Sequence, residues 1–256
     1  MQLSSKDNTI LVLSDPHQDM VKVENILARE NYDVAVCLGD WFDSFFYNTP
    51  GHITKTCQVL RAQMFNSAFV SCIGNHDIHY LYDNATTICS GYSRENDDTI
   101  SAGLGSFLPA IRDRFKWYVW IDDWLCTHAG LNPRHLPPQA KLDKINLSAW
   151  LNTQIEQAEM HLCNGGRHWL YGCGAARGGR QNIGGLTWQD FDVEFESIEE
   201  VPQLLGHTHH PVCVPATNDG TLNRELAHDL CIDCNLSEYL LILNGKITIK
   251  RYIDLA

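Results

Sequence analysis

Ser71–Asp77, SCIGNHD, is a short apolar run that stops abruptly in Gly-Asn-His-Asp. Alone it reads as a turn. Four other segments, spread over the chain, end the same way: in Asp15-Pro16-His17, in Gly39-Asp40-Trp41-Phe42-Asp43, in Thr127-His128-Ala129-Gly130 and in Gly206-His207-Thr208-His209. Metal-ligating side chains placed repeatedly just past strand ends point to one site assembled at one edge of a sheet.

The segments around these motifs alternate in character. Thr9–Ser14, Asp33–Leu38 and Ala68–Ile73 are continuous apolar runs of strand length, as expected for strands buried on both faces. Asp19–Glu30 and Thr54–Phe65 between them carry apolar residues at helical spacing. This rhythm predicts a parallel sheet with right-handed crossovers. Further on, Leu104–Phe115 reads as a helix, Lys116–Ile121 and Trp124–Thr127 as a hairpin turning at Asp122-Asp123, and Ile145–Leu162 as the best amphipathic helix. Glu238–Leu243 and Lys246–Tyr252 form a second hairpin through Asn244-Gly245. The polar stretch 82–98 and the glycine-rich stretch 164–185 are expected to be loop insertions in a single domain spanning 1–256.

Composition narrows the function classes. A charged share of 20% and a hydrophobic share of 44% are ordinary for a globular protein, and no stretch has the length of a membrane span. The N-terminus has no basic region followed by a long apolar segment, so a cytoplasmic protein is expected, with its ten cysteines reduced. The Cys231/Cys234 pair lacks a second pair to complete a tetrahedral zinc site. A formal charge of −12 argues against general nucleic-acid binding, yet it leaves room for a small phosphorylated substrate if bound cations reverse the local charge.

In an extended strand end, residues two apart face the same way, so Asp15 with His17, and His207 with His209, are expected to act as two-pronged clamps. Gly39 lets the backbone turn tightly before Asp40, a carboxylate suited to bridging two ions. Asn75 and His128 add oxygen and nitrogen donors. This mixture suits manganese, iron, zinc or nickel better than calcium.

The ordered set Asp15-x-His17, Gly39-Asp40-x-x-Asp43, Gly74-Asn75-His76-Asp77, His128 and Gly206-His207-x-His209 resembles the calcineurin-like metallophosphoesterases over residues 11 to 209. The resemblance implies an α/β, four-layer αββα sandwich of two mixed sheets flanked by helices. It also implies two divalent ions, manganese foremost: Asp15, His17, Asp40 and His209 for the first, and Asp40 as bridge with Asn75, His128 and His207 for the second. Ions about 3.5–4 Å apart lower the pKa of a shared water, and the resulting hydroxide attacks phosphorus directly. His76, beside Asn75 and outside the ligand set, is the candidate general acid, with Asp43 orienting it.

Thr127–Pro133, THAGLNP, and Leu186-Thr187-Trp188 look like the protein phosphatase and diadenosine tetraphosphatase branch. Two departures weaken a protein phosphatase assignment. Ser44-Phe45 stands where the Ser/Thr phosphatases have a phosphate-gripping Arg-Gly, and Asp77 stands where they have Glu. Arg177 or Arg180 is the candidate replacement grip. The expected activity is a phosphomonoesterase acting on a small phosphorylated substrate or a phosphoprotein. The alternatives are a nucleotide polyphosphate hydrolase, a nucleotide phosphodiesterase, and a metal-stabilised scaffold without turnover. Membrane partners are not expected, and the oligomeric state is left open.

Several residues invite plainer assignments. Asp77 is expected to cap a turn, His135 to lie in a loop, and His210 to point away from His209. His52, His79, His161, His168 and His228 have no motif around them. The aromatic residues of 41–47, with Tyr80 and Tyr82, read as core or rim packing rather than a base-stacking platform.

Overall fold

A computed structural model describes residues 1–138, 143–216 and 223–255. Strand β1 (Gln2–Leu3) precedes β2 (Ile10–Leu13), helix α1 (Met20–Arg29), β3 (Val34–Cys37), α2 (Pro50–Met64), β4 (Phe69–Cys72) and α3 (Asn75–Tyr82). Helices α4 (Arg94–Leu104) and α5 (Leu108–Arg112) lead to β5 (Phe115–Lys116), β6 (Val119–Ile121), β7 (Trp124–Cys126) and the long α6 (Lys144–Cys163). The chain then adds β8 (Gln203–Leu205), β9 (Val214–Pro215), β10 (Asp229–Cys231), β11 (Glu238–Leu243) and β12 (Lys246–Arg251).

The strands form two six-stranded mixed sheets, ordered β1-β6-β7-β8-β10-β9 and β12-β11-β2-β3-β4-β5. In the second sheet β2, β3, β4 and β5 run parallel, and the β11–β12 hairpin joins antiparallel beside β2. The alternation of side chains along each strand builds the layers. Ile10 and Val12 of β2 face an interior shared with Val36, Val70, Val119, Ile121 and Leu204. Leu11 and Leu13 face outward into a cluster containing Val23 and Ile26 of α1 and Ile53 and Leu60 of α2. Trp120 and Leu125 of the first sheet join Leu147 and Leu151 of α6 in that larger cluster. Helices thus cover both outer sheet faces. No helix among the described residues is long and apolar enough to cross a membrane.

Local chemistry moves several boundaries. Helix α2 starts at Pro50 rather than at Thr54, because the Thr49 hydroxyl accepts the His52 N–H and Pro50 is pre-set for a first helical turn. The stretch 82–98 is not loop throughout: Ser93 caps α4, accepting the Asn96 N–H at 3.1 Å, and Glu95 and Asp97 sit in its first turn. The helix expected over 104–115 is instead broken at Gly105, whose φ is +50°, and α5 follows. Asn164–Gly185 is irregular, with short 3-10 turns at Trp169–Tyr171 and Ala175–Arg177 and an isolated bridge between Gly174 and Gln181.

Leu11, 0% exposed in the central strand β2, tests this packing. Leu11→Ala is expected to cost about 3 kcal/mol, read as a lower urea midpoint at unchanged slope. Val21→Ala, at a position 69% exposed on α1, should change stability by less than about 0.5 kcal/mol.

Candidate metal centre

Strands β2, β3, β4, β7 and β8 end at Leu13, Cys37, Cys72, Cys126 and Leu205, and Asp15, Asp40, Asn75, His128 and His207 follow within a few residues. Extended-strand alternation does not pair the candidate ligands at this edge. Asp15, His17, Gln18, Asp40, Asp43 and His207 all have left-handed backbones, with φ between 39° and 69°. The chain leaves its strands in tight left-handed turns, and these bring Asp15 and His17 together. Such conformations cost on the order of 1 kcal/mol each, and main-chain bonds hold them in place. Asp15 N–H donates to Gly39 O at 3.2 Å, His17 N–H to Asp40 O at 2.9 Å, and Gln18 N–H to Trp41 O at 3.1 Å.

Two glycines lie back to back beneath the centre. A Cβ on Gly39, whose φ is +104°, would sit 2.5 Å from the Gly74 nitrogen, and one on Gly74 would sit 2.1 Å from Asp40 Oδ1. Only hydrogen fits at either position.

Two donor clusters result, Asp15/His17/Asp40 and Asp40/His128/His207, with Asp40 common to both. Asp40 Oδ2 lies 3.6 Å from His17 Nε2 and 3.3 Å from His128 Nε2. His128 Nε2 is also 2.9 Å from Asn75 Oδ1 and 3.2 Å from His207 Nδ1. The ring orientations are fixed from behind. His17 Nδ1–H donates to Phe42 O at 2.8 Å and His128 Nδ1–H to Leu38 O at 2.9 Å, which turns both Nε2 atoms toward the centre. The Asn75 amide is oriented too, its Nδ2 donating to Cys89 Sγ at 3.6 Å while the thiol donates back to Asn75 O at 3.1 Å.

The electrostatics call for a cation. Asp15 and Asp40 are 1% and 2% exposed, with Asp77 and Asp233 also buried nearby. Burial and the neighbouring Asp233 carboxylate push Asp15 well above the usual carboxylate range. Burial opposes ionisation of Asp40 as well, but His128, His76 and His17 outweigh it and its pKa is lowered. Burial disfavours charge on His128, yet Asp40 and Asp15 raise it to about 10. His207 is driven well below its ordinary value by burial and by His128, and its Nε2 is buried without a hydrogen-bond partner. Buried carboxylates, imidazole Nε2 atoms turned inward and mixed nitrogen and oxygen donors together fit first-row divalent cations.

The remaining expected residues fall into place unevenly. His209 is not brought into the first cluster. Its side chain is 52% exposed, with Nδ1 3.6 Å from Asp233 Oδ1 and Nε2 3.2 Å from Asn235 Nδ2. The left-handed backbone at His207 breaks the extended path that would have aligned the two histidines. His76 Nδ1 lies 3.0 Å from Asp43 Oδ2, and Tyr80 donates its hydroxyl to the other Asp43 oxygen at 2.5 Å. Burial works against a charge on His76, but Asp40 and Asp43 prevail and raise its pKa. Arg177 anchors at the rim, with Nη2 on Thr208 Oγ1 at 2.9 Å and Nε 2.7 Å from Asp190 Oδ2. Arg180 is exposed, and no hydrogen bond or ion pair ties it to the cluster among the described residues.

Four contributors carried no motif signal: Cys89, Tyr80, Asp233 and the full role of Asp77. Asp77 does cap the start of α3, Oδ2 accepting Gly74 N–H at 2.9 Å. It also accepts the N–H of Asp40 at 2.9 Å and of Trp41 at 2.8 Å, so one buried carboxylate joins the β4 motif to the β3 motif. The position three residues into a helix beside a glycine was the available clue. Asp77→Asn would set an amide NH2 against a main-chain N–H. The expected result is a loss of about 2–3 kcal/mol by denaturation and fewer bound metal ions per chain by elemental analysis.

The calcineurin-like phosphoesterase family model matches residues 8–211. No curated protein sequence gives a match. Among solved structures, the chain is similar to a cold-active protein-tyrosine phosphatase of a psychrophilic Shewanella species, at 16% identity and a TM-score of 0.58, covering 100% of this chain and 80% of that one. It is similar as well to a protein serine/threonine phosphatase from Saccharomyces cerevisiae, at 13% identity and a TM-score of 0.55, covering 98% and 82%. At these identities the structures show the shared fold. With the family match extending over most of its length, the chain belongs to the calcineurin-like phosphoesterases, enzymes that hydrolyse phosphoesters with divalent metals.

Proposed function

We propose that this chain is a two-metal phosphomonoesterase of the branch that includes the protein phosphatases. One observation carries the reading: Asp40 belongs to both donor clusters. Asp15, His17 and Asp40 would hold one cation, and Asp40, Asn75, His128 and His207 the other, with manganese the first to test. Divalent cations bound there would supply Lewis acidity and neutralise phosphate charge.

The protein's own groups would do the rest. Hydrolysis adds water to phosphorus and breaks the P–O bond to the leaving group, whose oxygen then needs a proton. His76 would give it. Asp43 engages Nδ1 and leaves Nε2 as the atom that donates, and Tyr80 fixes Asp43 in turn. Arg177, held between Thr208 and Asp190, would add positive charge where the phosphate oxygens sit. The substrate would be a small phosphorylated molecule or a phosphoprotein.

Two measurements test the reading. Asp40→Asn should lower metal content and reduce turnover of every phosphomonoester by about 1,000-fold or more, and turnover that survives the change would refute the shared-ligand centre. His76→Ala should slow an alkyl phosphate by about 100-fold or more, but p-nitrophenyl phosphate far less, since that leaving group departs without a proton. Equal losses on both substrates would remove His76 from the acid role.

A further inference from the structure

The aromatic run following the second motif divides sharply. Trp41 and Phe42 are 0% exposed and belong to the core, whereas Phe45 and Phe46 are 70% and 84% exposed. Exposed rings on a loose loop would carry little meaning, but this loop is fastened to the metal-centre turn. Gln18, adjacent to His17 and buried, accepts the Ser44 N–H at 2.8 Å and donates to Tyr47 O at 2.9 Å. The Ser44 hydroxyl accepts the N–H groups of Phe46 and Tyr47 at 3.1 and 3.0 Å. Both ends of the aromatic loop are thereby set by the residue next to a candidate ligand.

Between this loop and α1 lies a recess of about 180 Å³ whose lining includes His17, Lys22, Phe45, Phe46, Tyr47 and Asn235. That volume is on the order of cavities of about 150 Å³ known to admit benzene. His17, which lines the recess, also meets His76 edge-on, with ring centroids 5.2 Å apart, so one wall of the recess touches the group assigned to the leaving oxygen. Its charge is balanced. Lys22 Nζ lies 3.3 Å from Asp19 Oδ2, also in the lining, and donates to Asn235 O at 2.6 Å, leaving no cation among the lining residues unengaged by a partner for a second phosphate.

We propose that this recess is the leaving-group subsite and that it takes a planar, uncharged aromatic ring, which makes the substrate class an aryl phosphomonoester. The inference rests on the phosphomonoesterase reading above. A polyphosphate leaving group would place its charge against ring faces and an already paired lysine. An aliphatic leaving group would leave Phe45 and Phe46 uncovered.

The test compares binding of phenylphosphonate and methylphosphonate, neither of which can be hydrolysed, to the metal-loaded protein by titration calorimetry. It is paired with kcat and KM for phenyl phosphate and an alkyl phosphate. In the Phe45→Ala/Phe46→Ala variant, affinity for phenylphosphonate should fall about tenfold, and KM for phenyl phosphate should rise by a similar factor. Methylphosphonate affinity and alkyl phosphate turnover should not change, and because both side chains are exposed the melting temperature should hold. Loss of both phosphonates in equal measure, loss of neither, or no phosphonate binding to the wild type would overturn the subsite. Phenyl-selective binding that depends on the two phenylalanines, without hydrolysis of either ester, would uphold the subsite and overturn the phosphomonoesterase reading instead.

Discussion

The Asp40 carboxylate is the constraint around which the functional edge is arranged. It is 2% exposed, and its Oδ1 accepts the His76 N–H at 2.9 Å, at the first turn of α3. Its Oδ2 faces His17 and His128 from two different strand ends. A carboxylate in that position needs donors on one oxygen and positive charge near the other. The N-terminus of α3 provides the first through an unsatisfied main-chain N–H. The second is met partly by His128, which Asp40 and Asp15 hold protonated, and divalent cations at the two donor clusters would meet it more fully.

That requirement explains why two sheets are needed. The parallel strands β2, β3 and β4 deliver Asp15, Asp40 and Asn75 from one sheet, and β7 and β8 deliver His128 and His207 from the other. The edges of the two sheets are tied directly, since His207 N–H lies 3.2 Å from both Asp15 oxygens and His128 Nδ1–H reaches Leu38 O. The shared apolar interior built on Ile10, Val12, Val36 and Leu204 sets the spacing between sheets, and hence the distance between the two halves of the centre.

How much of this was legible in the residues follows the range of the forces involved. Continuous apolar runs located β2, β3 and β4, because burial on both faces is written in consecutive residues. The Asn244-Gly245 turn was equally plain, with φ of 52° and 73° suited to those two residue types. Candidate ligand types are readable because a metal site demands particular side chains. The route by which they converge was not. Alternation along an extended strand placed Asp15 with His17 for the wrong reason and placed His209 beside His207, whereas left-handed turns held by the neighbouring loop decide both cases. Asp77 and Gln18 act across the fold, on Asp40 and on the 44–47 loop, and nothing in their local sequence announces the partner.

The same edge also links rigidity to chemistry. Gln18 binds the aromatic loop and shares its turn with His17, so forces that fix one ligand fix the rim of the recess as well. Asp77 couples the β3 and β4 motifs in the same manner, and Tyr80, on α3, reaches back to Asp43. Each connection uses a buried polar side chain whose hydrogen-bonding groups meet main-chain or carboxylate partners, the arrangement that makes a polar network stiff rather than costly. The buried carboxylates of the centre repel one another without a cation, so metal that binds the folded arrangement more tightly than the unfolded chain stabilises the strand-end turns and the loops fastened to them together. Metal bound at this edge would therefore also stabilise the shape of the recess beside His17.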